Sequence, residues 1–319
     1  MRTAFVTGAS GLLGYWLVQA LLAREVRVVL LQRGEHPQSA LSLDGLDARC
    51  TTVRGDLLDA ALLDRALAEH EVDTVFHLAA QPIVGTALRA PVATFETNVR
   101  GTWLLLESAR LRGVSRVLVA STDRVYGRTS TPPFTEDMPL DARTPYDVSK
   151  AAADLVARSW WHSFGLPVAV TRFSNVYGGG DLNRTRLVPE LVGAVLAGRA
   201  PVIRSDGTPE RDYLYAQDAA DAYLAIADAL GDGAAGQAFN AGGGGVYSVR
   251  EVAERVIAVA GADVAVDIRG APTGGPVDRL VADSGRLHAL TGWAPRVDLE
   301  EGLRRTVQWY RERPGALAP

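Results

Sequence analysis

The sequence predicts an α/β protein: a doubly wound parallel sheet in the first half of the chain, joined to a smaller C-terminal α/β lobe. Three observations predict it. Short, continuous apolar runs alternate with helix-like segments up to about residue 175. A glycine-rich turn lies at the first strand-to-helix crossover. Beyond residue 175 the alternation breaks into loop-rich stretches with helices between them. Continuous apolar runs suit strands buried on both faces, and strand–helix alternation suits right-handed parallel crossovers.

The strand candidates are TAFVTG, VRVVLL, CTTVRG, TVFHLA, RVLVAS and PVAVTR. The helical segments between them are GLLGYWLVQALLAR, DAALLDRALAEH, APVATFETNVRGTWLLLESARLR and PYDVSKAAADLVARSWWHSF. Later helices are expected at LVPELVGAVLAG, AQDAADAYLAIADAL and VREVAERVIAVAG, while NVYGGGDLNRTRLVPELV and RSDGTPERDYLYAQ read as loop-rich. The expected division is therefore residues 1–175 for the sheet domain and 176–319 mainly for the second lobe, with later segments returning to the first.

The 319 residues carry a net charge of −4 and no basic run, so neither nucleic acid nor an acidic membrane is an expected partner. Cys50 is the single cysteine, which excludes a disulfide within the chain and fits a reducing compartment. RTAFVTG already reads as a strand, and no apolar run reaches membrane-spanning length, so a cytoplasmic location is expected. No histidines or cysteines have metal-site spacing, so no metal is expected, and His77 in VFHLAA reads as a core histidine.

GASGLLG places glycines at 8, 11 and 14. Gly8 permits the turn, Gly11 lets the main chain approach a pyrophosphate, and Gly14 lets helix and strand pack closely. The following helix start offers unpaired N–H groups to an anion. This is the fingerprint of a dinucleotide-binding Rossmann crossover. The second strand ends in Gln32 and Arg33 rather than in a carboxylate, which leaves NAD and NADP both open; Arg33 suits a 2′-phosphate or is simply a solvated surface residue. Asp56, in GDLLD after the third strand, is placed to meet an adenine amino group.

PYDVSK gives Tyr146 and Lys150, four residues apart and so on one helix face. A phenol with a pKa near 10 is a weak base at neutral pH. An ammonium and a positively charged nicotinamide ring beside it are expected to lower that value, so that the phenolate takes a proton from a sugar hydroxyl as hydride leaves the same carbon.

With these motifs, the chain resembles the extended short-chain dehydrogenase/reductases that act on nucleotide sugars, over roughly residues 1–310. The resemblance rests on TGASGLLG, GDLLD, VFHLAAQ, TNVRGTWLLLE, ASTDRVYG, PYDVSK, RFSNVYGGGD, RDYLYAQDAADAY and FNAGGG. FHLAAQPIV, TFETNVRGT and GGGDLNRTRLVPE look most like the CDP-glucose 4,6-dehydratase branch. The resemblance implies a catalytic set of Thr122, Tyr146 and Lys150, with Asp123 as an acid in the dehydratase case. It implies a cofactor site of Gly8, Ser10, Gly11, Leu12, Leu13, Gly14, Arg33, Asp56, Leu57, Ala79, Ala80, Gln81 and Asn98, together with Tyr146 and Lys150. It implies a nucleotide-diphosphate sugar held by Gln81, Asn175, Arg186, Leu187, Val188 and Arg211, the arginines suiting phosphate oxygens. It also implies a homodimer built on the Tyr146 helix and the TNVRGTWLLLE helix.

ASTDRVYG sharpens the question of reaction. Thr-Asp-Glu marks one dehydratase branch, and the CDP-glucose branch resembles Ser-Asp-Lys; here the third residue is Arg124. A guanidinium is a poor general base, so a dehydratase would need another, Tyr146 or a residue the sequence does not locate. The reading therefore favours a 4-epimerase, with Arg124 against a C6 substituent, a carboxylate being one that suits it, over a nucleotide-sugar 4,6-dehydratase with Asp123 as acid or a 4-ketosugar reductase. A non-catalytic dinucleotide-binding sensor or scaffold is the further alternative. Arg124 pointing away from the site, and Asp123 merely capping the next turn, remain open from sequence.

Overall fold

The computed structural model describes residues 1–127, 132–270 and 279–317. Thirteen strands run in chain order: β1 Thr3–Thr7, β2 Arg27–Gln32, β3 Thr51–Arg54, β4 Thr74–His77, β5 Arg116–Ala120, β6 Val168–Phe173, β7 Asn175–Tyr177, β8 Val202–Ile203, β9 Glu210–Tyr215, β10 Ala238–Ala241, β11 Val246–Ser248, β12 Asp267–Ile268 and β13 Arg279–Leu280. Seven of them form one sheet in the order β10-β6-β5-β4-β1-β2-β3, every neighbouring pair parallel. The order reverses at β1, so the chain leaves β1 and β4 in opposite directions and opens a crevice at their carboxyl ends.

Alternation along the strands feeds two cores. Ala4 and Val6 face one side, with Leu17, Val18 and Leu21 of the helix Leu12–Ala23 and Ala219 and Tyr223 of the helix Ala216–Asp228. Phe5 faces the other, with Leu63 and Leu67 of the helix Ala60–Glu69, Leu105 and Leu106 of the helix Gly101–Leu111, and Ala157 of the helix Pro145–Phe164. Burial on both faces is why these strands read as continuous apolar runs. β9 centres a second, four-stranded sheet, with β11 and β13 at its sides and β7 also paired to it, while β8 and β12 form a third. β10, from the C-terminal half, closes the edge of the main sheet against β6.

The expected pattern is departed from in two places. Asn175–Tyr177 and Glu210–Tyr215, in stretches that read as loop-rich, are strands that pair with each other beside the main sheet. The single helix anticipated over 90–112 is a helix Pro91–Phe95, a wide turn Glu96–Arg100 and a helix Gly101–Leu111, with a further helix Val84–Arg89 ahead of it. The wide turn, a π-type bulge, brings Asn98 inward. Asn98 Oδ1 accepts from Gln81 N at 2.7 Å, and its Nδ2 donates to Ser149 Oγ at 2.9 Å. His77 is a core residue as expected, bonded to Thr7 Oγ1 at 2.8 Å and Thr102 Oγ1 at 3.0 Å, and burial pushes its pKa down to about 3. Cys50 is half-buried beside the first core, its thiol on Leu46 O.

A buried ion pair joins β6 to the helix Pro145–Phe164. Arg172 of β6 and Asp154 of the helix Pro145–Phe164 are 1% and 0% exposed. Arg172 donates to both Asp154 oxygens at 2.7 and 3.0 Å, to Tyr126 Oη at 3.1 Å and to Glu136 O at 3.2 Å. No helix among the described residues is long and apolar enough to cross a membrane. Removing one partner leaves the other charge buried and unpaired, so Asp154→Ala is expected to lose about 3–5 kcal/mol in urea unfolding. A loss below about 1 kcal/mol would mean the pair does not hold the helix to the sheet.

Candidate active site

A cleft of about 760 Å³ runs along the carboxyl ends of β1, β2, β3, β4, β5 and β6 and on to β7 and β9. Its first wall is the turn after β1. Gly8 has φ +77°, and a Cβ there would lie 2.7 Å from Ala79 N. A Cβ on Gly14 would lie 2.3 Å from Gly8 O, so only glycine lets helix and strand approach this closely. Gly11 caps the helix with no side chain bonded to its first turn, and a Cβ there would meet nothing nearer than Gly8 O at 3.5 Å. Bare N–H groups above an open glycine face suit a pyrophosphate, so the residues present fit a bound dinucleotide. Ser10, Leu12, Leu13, Arg33, Asp56, Leu57, Ala79 and Ala80 share this wall. The β2 end contributes Gln32, Arg33 and His36 and no carboxylate.

The middle of the cleft is built by the turn after β5 and the start of the helix Pro145–Phe164. Thr122, Asp123, Arg124 and Tyr146 all line it. Thr122, rather than Asp123, caps the turn: its Oγ1 accepts from Arg124 N at 3.3 Å. The capping role left open for Asp123 is thus taken by its neighbour. Asp123 is buried, accepts from Thr122 Oγ1 at 3.1 Å through Oδ1, and leaves Oδ2 without a partner. Burial pushes its pKa up to about 6. Arg124 does not point away from the cleft. It reaches the first turn of the Tyr146 helix, where Nε donates to Asp147 Oδ1 at 2.7 Å and Nη2 to Oδ2 at 3.3 Å.

The electrostatics of Tyr146 correct the expectation from sequence. Burial dominates and raises the phenol to about 12, while Arg186 and then Arg124 pull it down. Lys150 is not among the largest influences on it, and is itself pushed down to about 8 by burial, with Asp154 opposing. The lowered phenol is therefore not a property of the protein alone. The ammonium sits one helical turn behind the phenol, and burial weakens both charged forms.

The far end holds Asn175, Arg186, Leu187, Val188 and Arg211 on the cleft wall. Arg186 pairs with Asp181 at 3.2 Å, and Arg211 lies on β9 with Nη1 on Glu210 O. Three residues expected at the site lie behind its wall. Lys150 is buried, Asn98 clamps Gln81 N, and the Gln81 side chain turns onto Ile83 and Thr94. Residues missed from sequence are Asp147, Asp181, Ser174 and Tyr213. Of these only Asp147, inside PYDVSK, carried a signal: an acidic residue at a helix start beside a motif with an unusual arginine. Among the described residues no group of three or more His, Cys, Asp or Glu is arranged to hold a metal ion.

Comparison with known proteins gives a family and two activities. Residues 4–242 match the family model described as NAD dependent epimerase/dehydratase family. The chain is 33% identical to a dTDP-glucose 4,6-dehydratase of Xanthomonas campestris pv. campestris, covering 97% of this chain and 93% of that one. It is 35% identical to a UDP-glucose 4-epimerase of Mycolicibacterium smegmatis, covering 98% and 99%. Among solved structures, the dTDP-glucose 4,6-dehydratase of Streptomyces venezuelae with NAD bound superposes with a TM-score of 0.87 at 34% identity, covering 98% of each chain.

Asp123 gives this site a pH signature. Its folded pKa of about 6 lies above the ordinary 3.8, so folding takes up a proton between those values. The stability it contributes is full below about pH 4 and is lost as pH rises through 6. Relative to the wild type, Asp123→Asn is expected to gain about 2 kcal/mol in urea unfolding between about pH 4 and pH 7. Parallel stability curves for the two proteins would show that the carboxyl is not held neutral.

Proposed function

The chain belongs to the NAD dependent epimerase/dehydratase family, and from that premise we propose that it is a nucleotide-sugar 4-epimerase working by transient oxidation of the sugar at C4. The observation that carries this reading is Arg124. A 4,6-dehydratase must remove the C5 proton, and the residue at the position that is Glu in one dehydratase branch is here a guanidinium whose pKa Asp147 raises further. It stays protonated and takes no proton from carbon. Asp147 is no substitute, because its two oxygens are engaged by Arg124 and by Thr144 Oγ1 at 2.7 Å.

The glycine turn, with Ser10, Leu12 and Leu13, holds the dinucleotide pyrophosphate; Arg33, Asp56 and Leu57 take its adenosine end, and Ala79 and Ala80 its middle. Bound NAD supplies a hydride acceptor that gives the hydride back. Tyr146 takes the proton of the C4 hydroxyl and Thr122 orients that hydroxyl, while Lys150, buried one helical turn behind Tyr146, is the residue this reading assigns to the nicotinamide ribose once the dinucleotide is bound. Arg186 and Arg124 already oppose the burial of the phenolate, and the positive ring adds to them. Asn175, Arg186, Leu187, Val188 and Arg211 receive the nucleotide diphosphate. Return of hydride to the other face requires the keto sugar to turn over within the cleft.

A second reading has its own support. Asp123 is a buried acid with an unpartnered oxygen, which an epimerase does not use and a dehydratase needs to protonate the departing C6 hydroxyl. Turnover of a panel of nucleotide sugars in deuterated water separates the two. Inversion at C4 without deuterium at C5 is the expected outcome, and loss of water with deuterium at C5 would replace the epimerase by the dehydratase. In the same assay Tyr146→Phe is expected to lose about a thousandfold or more in kcat with NAD still bound. An active Tyr146→Phe protein would remove the phenol from the mechanism.

The assembly we propose is a homodimer. Leu88, Val92, Trp103, Leu155 and Phe164 are exposed on the helices between residues 84 and 164, Val92 by 74%. Exposed apolar side chains on helices that pack against one another mark an interaction surface. Light scattering is expected to give a dimer for the wild type and a monomer for a Val92→Glu, Leu155→Glu double variant. A monomeric wild type would refute it.

A further inference from the structure

Arg124 is 27% exposed on the cleft wall, yet it does not present a free cation. The edge of the guanidinium carrying Nε and Nη2 forks onto Asp147, at 2.7 and 3.3 Å. Asp147 is buried and is held from its other side by Thr144 Oγ1 at 2.7 Å. Nη1 stays outside that fork. The wall beside Tyr146 therefore offers guanidinium N–H groups whose charge is cancelled by a fixed carboxylate behind them.

We propose that Asp147 is a positioning residue that sets sugar specificity: by pairing with Arg124 it makes this wall select a hexose with a neutral C6 substituent over one bearing a C6 carboxylate. The proposal rests on the reading that a nucleotide sugar lays its ring against Tyr146. An unpaired arginine here would attract a uronate and fork onto it. To do so now, Arg124 must leave Asp147, and the abandoned carboxylate is then buried without a partner, which is the costly way to break an ion pair. A hydroxyl needs only one hydrogen bond from the outer edge and leaves the pair intact. The other charged groups facing this region do not reverse the balance. Asp123 adds a second acid, Arg186 is paired to Asp181, and Arg211, near enough to act on Asp123, has Nη1 on Glu210 O.

Asp147 also has a purely structural role open to it. It lies in the first turn of the helix Pro145–Phe164, where a negative charge is favourable whatever the substrate. The two roles predict different things. Loss of a helix-start charge lowers the melting temperature and weakens all sugars alike. Loss of the charge that cancels Arg124 changes the ratio between neutral and anionic sugars.

The test is calorimetric binding to NAD-loaded protein of matched hexose and uronate pairs, UDP-glucose with UDP-glucuronate first and the dTDP and CDP series beside them. The wild type is expected to bind the neutral sugar about tenfold or more tightly than the uronate. Asp147→Asn is expected to bring that ratio to about one or to reverse it, and Arg124→Gln to widen it, since Asp147 then stands uncompensated. The double variant, with neither charge, is expected to return to a neutral-sugar preference. A wild type that prefers the uronate, or an Asp147→Asn protein in which both sugars weaken in the same proportion, overturns the proposal. Failure of every nucleotide sugar to bind sinks the functional reading itself, a result distinct from either.

Discussion

Everything at the centre of this molecule is hung from the buried pair between Arg172 and Asp154. A guanidinium that is 1% exposed has no water to turn to, so its donors must all be met by protein. They are met by three separate pieces: Asp154 on the helix that carries Tyr146, Tyr126 at the end of the turn that carries Thr122, Asp123 and Arg124, and the main chain at Glu136. Tyr126 passes the constraint on through Asn240 of β10, at 2.7 Å. The helix, the turn and the sheet edge thus cannot move independently. The phenol and the acid–arginine turn face each other because a charge behind them permits only one arrangement.

The cleft follows from topology in the same way. A parallel sheet whose order reverses at β1 sends consecutive crossovers to opposite faces, and the space between them lies where the glycine turn, the ends of β4 and β5 and the Tyr146 helix converge. The Asn98 clamp adds precision to this frame. One amide side chain ties the segment after β4, through Gln81 N, to Ser149, whose Oγ in turn donates to Tyr146 O at 2.7 Å. Asn98 therefore orients the site from behind, and the bulge in its own helix is the means by which it reaches.

Local steric demands were legible in the sequence, and through-space demands were not. Glycines 8 and 14 could be read because a Cβ at either would collide with main chain at 2.7 and 2.3 Å, a requirement that leaves only one residue type. The strands could be read because burial on both faces excludes polar residues. Tyr146 and Lys150 could be read as a pair on one helix face. The state of that pair could not be, because desolvation by residues far away in sequence outweighs the ammonium one turn along. The Asn98 bulge was hidden for a similar reason, since nothing in TNVRG distinguishes a wide turn from a helical one until Gln81 and Ser149 are in place. Whether Arg124 faced the cleft depended on a short helical turn replacing an extended strand, which reverses the alternation that would have pointed it away.

The pairing of Arg124 with Asp147 turns an isolated oddity of sequence into a coherent unit. Taken alone, an arginine at the third position of the β5 turn places an unbalanced charge beside a phenol that has to ionise. Taken with Asp147, the change is nearly neutral in net charge, and it leaves the hydrogen-bonding edge of the guanidinium fixed while its field on Tyr146 is opposed by the carboxylate next to the phenol. Two charged residues 23 positions apart thus act as one polar, uncharged surface. Such a surface constrains chemistry in both directions. It cannot accept a proton from carbon, because its cation is stabilised, and it cannot welcome an anion, because its charge is already answered. On the reading proposed above, what fits between those two exclusions is a ring that exchanges hydride and proton at C4 while its C6 group remains a neutral spectator.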